Sequence, residues 1–305
     1  MIDRIECPIC AQQGHSIFRW PYQSRELLRV AAHAPNVRAI AVTRDYEVLC
    51  CDECDISYQR WVPNDQEAAE LYALHGNEDD ILDEITQQKL HWYSHMTEEI
   101  LVMRQIIDKG LPKVLDYGCN WGKWASMALA YGCDVYAVEV NSIAADFVSR
   151  RGVKMISDSQ LAQHTFDFIN ADQVLEHLPD PKPLLARLAS ALTSTGMIKL
   201  STPSAPRLSH NLTKAARAKD GSILSPSRID ALEPLIHLNL FSNRSLRVIG
   251  DKIGLVPVVL PFFKWLGAGQ LWNIPRQFGR NLTTPGKRRF IKGTYMWFRA
   301  CSPTR

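Results

Sequence analysis

The chain has 305 residues, 46% hydrophobic and 22% charged, which excludes a disordered or fibrous protein and allows a full buried core. The formal charge of +3 hides an asymmetry: Pro203 to Arg305 hold 17 basic and 4 acidic residues, a net of +13, whereas the first 202 residues hold 18 and 28, a net of −10. That split points to an anionic partner for the C-terminal part, such as a phosphorylated substrate, RNA or a membrane surface.

The first residues, MIDRIECPIC, lack the basic-then-apolar pattern of a signal peptide. No stretch reaches the ~18 apolar residues of a spanning helix. The nearest, Gly254 to Leu266, is interrupted by Pro257, Pro261 and Lys264. The expectation is a cytoplasmic protein with reduced cysteines, where paired cysteines indicate metal before disulfide.

Residues 1–63 hold five of the eight cysteines and short β-rich runs at Val37 to Val42 and Tyr46 to Cys50. Cys7-Pro-Ile-Cys10 and Cys51-Asp-Glu-Cys54 form two CxxC pairs with 40 residues between them. Four thiolates so paired suit tetrahedral zinc, one knuckle from each pair. A segment of ~60 residues is marginal alone, and a structural metal supplies the missing stability. Cys50 is an alternative to Cys51, at CxxxC spacing. No βαβ pattern flanks either pair, which argues against redox chemistry.

Residues 64–110 read as a helical linker. Asn64 to Glu84 contains eight acidic residues and no Lys or Arg, with a helix over Glu67 to Leu74. A longer helix, Ile85 to Lys109, places Leu90, Tyr93, Ile100, Met103 and Ile107 on one face. Gly110-Leu111-Pro112 ends it.

From residue 111 to 305 strands alternate with helices. Strands are predicted at Val114–Tyr117, Asp134–Val138, Lys154–Ile156, Asp167–Ala171 and Met197–Ser201. Helices are predicted at Trp124–Tyr131, Ile143–Arg150 and Pro183–Leu192. After an irregular stretch come a helix at Asn243–Ile253 and strands at Leu255–Leu260 and Thr294–Arg299. The pattern is α/β, with a parallel sheet covered on both faces.

The run VLDYGCNWGKWASMALAYGCDVYAVEV, Val114 to Val140, is the most informative. A strand ends at Asp116, glycines follow at 118 and 122, and a helix opens. Glu139 ends the second strand, where a carboxylate can accept from two ribose hydroxyls. Asn120 stands between the glycines and tolerates positive φ better than other side chains. The pattern is that of a nucleotide-type site at the carboxyl ends of parallel strands.

Here the sequence resembles the class I S-adenosylmethionine-dependent methyltransferases. Asp116-Tyr-Gly118-Cys-Asn120-Trp-Gly122 is similar to their D/E-x-G-x-G-x-G loop, with Asn120 in place of the middle glycine. Glu139 is similar to their ribose-binding acid, and Phe166-Asp167 through Gln173-Val-Leu-Glu176-His177-Leu-Pro-Asp-Pro181 to the FDxI…VLEHLxDP segment of one large branch. Thr195-Gly196 through Thr202-Pro203 and His237-Leu-Asn-Leu-Phe241-Ser242 continue the likeness, which covers roughly residues 111 to 260. It implies a Rossmann-like seven-stranded methyltransferase sheet joined to a β-rich zinc-binding module, as in methyltransferases of sugar and cell-surface polysaccharide pathways.

The resemblance implies roles. Asp116, Gly118, Asn120 and Gly122 would meet the methionine part of S-adenosylmethionine, and Glu139 its ribose. Asp158 would lie near the adenine amino group, although it also suits a helix N-cap. Gln173 would line the pocket. His177, beside Glu176, is the first candidate base, or else fixes its loop by hydrogen bonds; His237 is the second, and His210 a weaker one. Some relatives that methylate quinone rings hold a divalent metal near the Glu-His segment, but no full ligand set is visible here.

The substrate side is expected from basic insertions at 203–230 and 261–293. The first carries Arg207, Lys214, Arg217, Lys219 and Arg228. The second carries seven basic and no acidic residues, with Phe262, Phe263, Trp265, Trp272, Phe278 and Phe290 among them. Rings beside cations suit a nucleotide diphosphate, stacked bases or a lipid headgroup boundary. The expected function is O- or C-methylation of a phosphate-linked sugar or glycan. An RNA, a lipid or quinone acceptor, and a non-catalytic scaffold are the alternatives.

Overall fold

The computed structural model describes residues 1–21, 45–72, 90–203, 208–218, 232–259 and 293–301. The run Val37 to Val42, the start of the helix over 85–109, much of the basic stretch 203–230 and nearly all of 261–293, with its six aromatic residues, lie outside the described residues.

The N-terminal elements are β1 (Ile2–Asp3), β2 (His15–Pro21), β3 (Asp45–Cys51), β4 (Ile56–Gln59) and β5 (Trp61–Val62). Two helices follow, α1 (Asp65–Tyr72) and α2 (Leu90–Ile106). Then come β6 (Lys113–Tyr117), α3 (Lys123–Ala130), β7 (Asp134–Val138), α4 (Ser142–Ser149), β8 (Lys154–Met155) and β9 (Phe166–Asp172). The chain continues through α5 (Lys182–Ser190), β10 (Leu192–Pro203), α6 (Leu208–Ala218) and β11 (Asn239–Leu240). It ends with α7 (Asn243–Lys252), β12 (Leu255–Pro257) and β13 (Gly293–Ala300).

Seven strands form the larger sheet, in the order β12-β13-β10-β9-β6-β7-β8. β6 to β10 run parallel, and β13 is antiparallel to both β10 and β12. Period-two alternation sends successive side chains to opposite faces. Leu115, Ile169 and Ile198 therefore join Leu184, Leu185 and Leu188 of α5 in one core. Val114, Phe168 and Met197 join Ile100 and Met103 of α2 and Trp124 of α3 in the other. Each large buried side chain contributes roughly 1.5–3 kcal/mol. One charge pair lies inside: Lys199 of β10 donates to Glu99 of α2 at 2.7 Å, and each is 3% exposed. Chain order reverses between β6 and β9, and the crevice outside their carboxyl ends is where such sheets take ligands.

A second sheet of four antiparallel strands has the order β11-β4-β3-β2. Three strands are N-terminal, but the edge strand β11 comes from the C-terminal half. Cys7, Ile9, Leu49, Ile56 and Tyr58 share a core with Leu115 and Phe241, so the two sheets are continuous through apolar contact.

Three elements differ from the sequence expectation. β10 is longer than Met197–Ser201, because Thr195-Gly196, ahead of the expected strand, lies in an irregular stretch within it. The stretch expected to be irregular contains α6, which buries Leu212 and Ala215. β12 stops at Pro257 rather than Leu260.

Candidate active site

The loop after β6 reverses direction through three residues with positive φ: Gly118 (70°), Asn120 (49°) and Gly122 (68°). Asn120 adopts the conformation its residue type tolerates. A Cβ on Gly122 would sit 2.6 Å from Val148 of α4, and one on Gly118 would sit 2.8 Å from Val174. Each glycine thus answers both a backbone and a packing demand. The amides of Gly118 and Cys119 donate to Val138 O, which ties the loop to β7.

Two carboxylates frame the loop. Glu139, half-buried, accepts from the amides of Asn120 (2.7 Å) and Asn141 (2.8 Å). Asp116, 3% exposed, accepts from Asn170 Nδ2 (2.8 Å) and the Ala125 amide (3.1 Å). Burial pushes the Asp116 carboxyl up to about 7. Val140, next to Glu139, is 86% exposed.

Gln173 begins the turn after β9 with φ 57°, its amide donating to Ser201 O of β10. Its side chain is exposed at the carboxyl edge. Asp158 opens a short 3₁₀ turn whose N-cap is Ser157. Its carboxylate accepts from the Tyr117 hydroxyl at 2.7 Å and pairs with Arg187 at 2.8 Å. The structure therefore gives Asp158 a turn-and-bridge role beside any part in adenine recognition.

The cysteine pairs converge. Metal-binding atoms of Cys7, Cys10, Cys51 and Cys54 all lie within 4.8 Å of one another. Both turns have the same shape: the residue after each pair, Ala11 or Asp55, has positive φ and donates to the carbonyl of Cys7 or Cys51. The Ile9 amide also points at Cys7 Sγ (3.4 Å). Cys50 lies outside the cluster, since its neighbour Cys51 faces the other pair.

The two histidines also meet. Glu176 and His177 follow β9 in a short 3₁₀ turn, and His237 precedes β11. Their rings lie 5.1 Å apart between centroids. His177 Nδ1 lies 3.1 Å from Ile236 O, which favours a proton on Nδ1 and leaves Nε2 as the basic nitrogen. Glu176 is fully buried, and neither carboxylate oxygen has a hydrogen-bond partner. Burial, with Asp172 and Glu233 nearby, raises its carboxyl well above the usual range. Glu176, His177 and His237 offer ligand-type atoms within 4.8 Å of one another. His210 lies elsewhere, exposed on α6, where it lines a hollow of about 390 Å³ with Thr213, Lys214 and Arg217.

The methyltransferase-domain family matches residues 88–260, more than half of the chain. The chain belongs to that family. No curated protein matches it. Among solved structures, the plantazolicin methyltransferase BpumL in complex with SAH is 13% identical, with 77% of this chain and 94% of that one covered and a TM-score of 0.49. YcgJ from Bacillus subtilis is 15% identical, with 68% and 100% covered and a TM-score of 0.43. A TehB-like SAM-dependent methyltransferase from Corynebacterium glutamicum is 16% identical, with 65% and 87% covered and a TM-score of 0.38. The chain is a methyltransferase by family, built on the doubly wound mixed sheet described above. Among the described residues, no helix is long and apolar enough to cross a membrane.

Proposed function

We propose that this methyltransferase modifies a sugar or glycan acceptor carrying phosphate, with His177 and His237 as the proton-accepting pair. The observation that carries the reading is the meeting of these two rings, 60 residues apart in sequence, beside the cofactor loop. Val174, which packs on Gly118, belongs to the same turn as His177.

When bound, S-adenosylmethionine supplies a methyl group already activated on a sulfonium. The chain's own residues then hold, align and deprotonate. The glycine loop at Gly118, Asn120 and Gly122, with Asp116, receives the methionine part. Glu139 accepts from the ribose hydroxyls, and Gln173 lines the pocket. His177 Nε2 takes the acceptor proton, with His237 as the second base. The sulfurs of Cys7, Cys10, Cys51 and Cys54 suit one zinc ion with no open position, so its part is structural.

Support for the acceptor class comes from the +13 charge of the last hundred residues and from the paired-knuckle module beside the sheet. The test is radiolabelled methyl transfer to a panel of nucleotide-linked sugars, RNA and anionic vesicles. Label in a phosphate-bearing sugar is the expected result. Label in RNA with steep salt dependence, or in lipid, overturns the acceptor class. Absence of SAH binding by calorimetry in folded protein removes the cofactor reading.

A second reading rests on Glu176, whose buried carboxylate lacks a hydrogen-bond partner and has His177 Nε2 3.9 Å away. With His177 and His237 it forms a carboxylate-imidazole set that suits a divalent cation. Such an ion would polarise an acceptor oxygen. Cobalt substitution separates the two sites, because thiolate ligands give intense near-ultraviolet charge transfer and nitrogen-oxygen ligands only weak visible bands. Weak bands abolished in Glu176→Gln would favour the cation, and their absence the base.

A further inference from the structure

The segment carrying His237 is held by the cysteine-bearing sheet. Gln59, the last residue of β4, is fully buried and lies eight residues beyond Cys51. Its side-chain Nε2 donates to His237 O (2.8 Å) and Glu233 O (3.1 Å). Its Oε1 accepts from the Leu235 amide (2.9 Å), and its own amide donates to Leu238 O (2.9 Å). The turn is wound around one carboxamide, and Leu235 takes a φ of 66° to make this possible. A residue without Cγ–Cδ reach, or without both donor and acceptor, cannot supply these bonds.

The grip extends to the second ring. Ile236, between two residues held by Gln59, offers the carbonyl that His177 Nδ1 meets. Arg4 adds a clamp from the same side, donating to Leu238 O (2.6 Å), Asn239 Oδ1 (2.9 Å) and Pro179 O (2.8 Å). Asn239 in turn donates to Leu175 O and Leu178 O, on either side of Glu176-His177. The Asp55 carboxylate, next to Cys54, accepts from the Ser242 hydroxyl at 2.6 Å.

We infer that Gln59 is a positioning residue for the His177–His237 pair, which makes the cysteine-bearing sheet a working part of the acceptor site. The inference rests on the proposed proton-accepting role of that pair. Gln59 touches neither acceptor nor cofactor in this account. It sets ring orientation and, through Ile236 O, which His177 nitrogen is basic.

The test uses the full metal-loaded chain with ¹³C-labelled histidine, assigned through His177→Gln and His237→Gln. Gln59→Leu is expected to shift or broaden both imidazole signals and to change the His177 tautomer that its ring carbons report. SAH affinity by calorimetry should stay within about two-fold, because the cofactor loop touches none of these bonds. Gln59→Glu serves as the graded variant. As a protonated acid it can accept from Leu235 and donate to His237 O, so the signals should return toward wild type as pH falls. Unchanged histidine signals and an unchanged His177 tautomer in Gln59→Leu overturn the inference. If Gln59→Leu fails to fold, Gln59→Glu decides alone: wild-type signals at every pH count against it. These spectra need no acceptor. Failure of the base reading would appear instead as methyl transfer surviving in His177→Gln and His237→Gln.

Discussion

The two sheets hold themselves together by different means. The seven-stranded sheet is covered on both faces by apolar side chains from α2, α3 and α5, so its strands need no further support. The four-stranded sheet has four clustered cysteines at one end and a borrowed strand at its edge. Burial specifies the first. Convergence of distant residues on one point specifies the second. The sheet that carries the cysteine cluster is also the one whose edge strand follows His237.

Removing a sulfur should separate the two most strongly. Metal binding to four cysteines is worth on the order of 10 kcal/mol in small zinc modules. Cys51→Ser, or a strong chelator, should expose amides of β2 to β4 to rapid hydrogen exchange. The strands β6, β7 and β9 should stay protected, and SAH should still bind. Loss of protection throughout both sheets would show that they melt as one unit.

The next effect tests the larger sheet at its Lys199–Glu99 contact. Lys199→Met leaves Glu99 buried with its attracting charge gone, at a cost of about 3–5 kcal/mol. Denaturant titration should show it, and adding Glu99→Leu should recover most of the loss. His95, 3.0 Å from Glu99, will retain part of the carboxylate's stabilisation.

A smaller effect is expected at the cofactor loop. Glu139→Ala removes the acceptor for two backbone amides and, in the proposed site, for the ribose. Bonds to a charged acceptor contribute about 1.5–3 kcal/mol. SAH affinity should fall roughly ten- to a hundred-fold, read by calorimetry, while the small sheet is untouched. Unchanged affinity would remove Glu139 from the cofactor site.

The smallest effect runs in the opposite direction. Asp116 and Glu176 hold their protons more tightly folded than unfolded, since burial raises both. Stability from these groups is therefore full below the ordinary carboxylate range and declines as pH rises above it, levelling off for Asp116 beyond about 7. Glu176→Gln should flatten part of that decline and gain about 1–2 kcal/mol at pH 8, measured by urea unfolding. A loss of stability would mean that the carboxylate has a partner it needs.

Legibility in the sequence followed the same division. The predicted strands at 114–117, 134–138 and 167–171 lie within one residue of β6, β7 and β9, because local alternation and the glycine turns determine them. The positive φ of Asn120 was also expected from residue type alone. β11 escaped, since a two-residue strand has no periodicity and takes its identity from Tyr58 and Ser57 across the sheet. Gln59 escaped for the same reason: nothing near it marks a carboxamide that will hold a turn 176 residues away. The sequence suggested His177 and His237 separately; only the fold brings their rings together.

The borrowed edge strand also governs the order in which the protein can be made. Arg4 meets Asn239 across 235 residues of chain. At ribosomal rates of about 5–20 residues per second, β2 to β4 wait roughly 10–40 s for the strand that completes their sheet. During that interval the edge of β4 is open to pairing with another nascent chain. The four cysteines, all synthesised early, are the elements able to close the module locally while it waits. Where the four sulfurs hold zinc as proposed, an expression system starved of it should yield aggregates formed during synthesis.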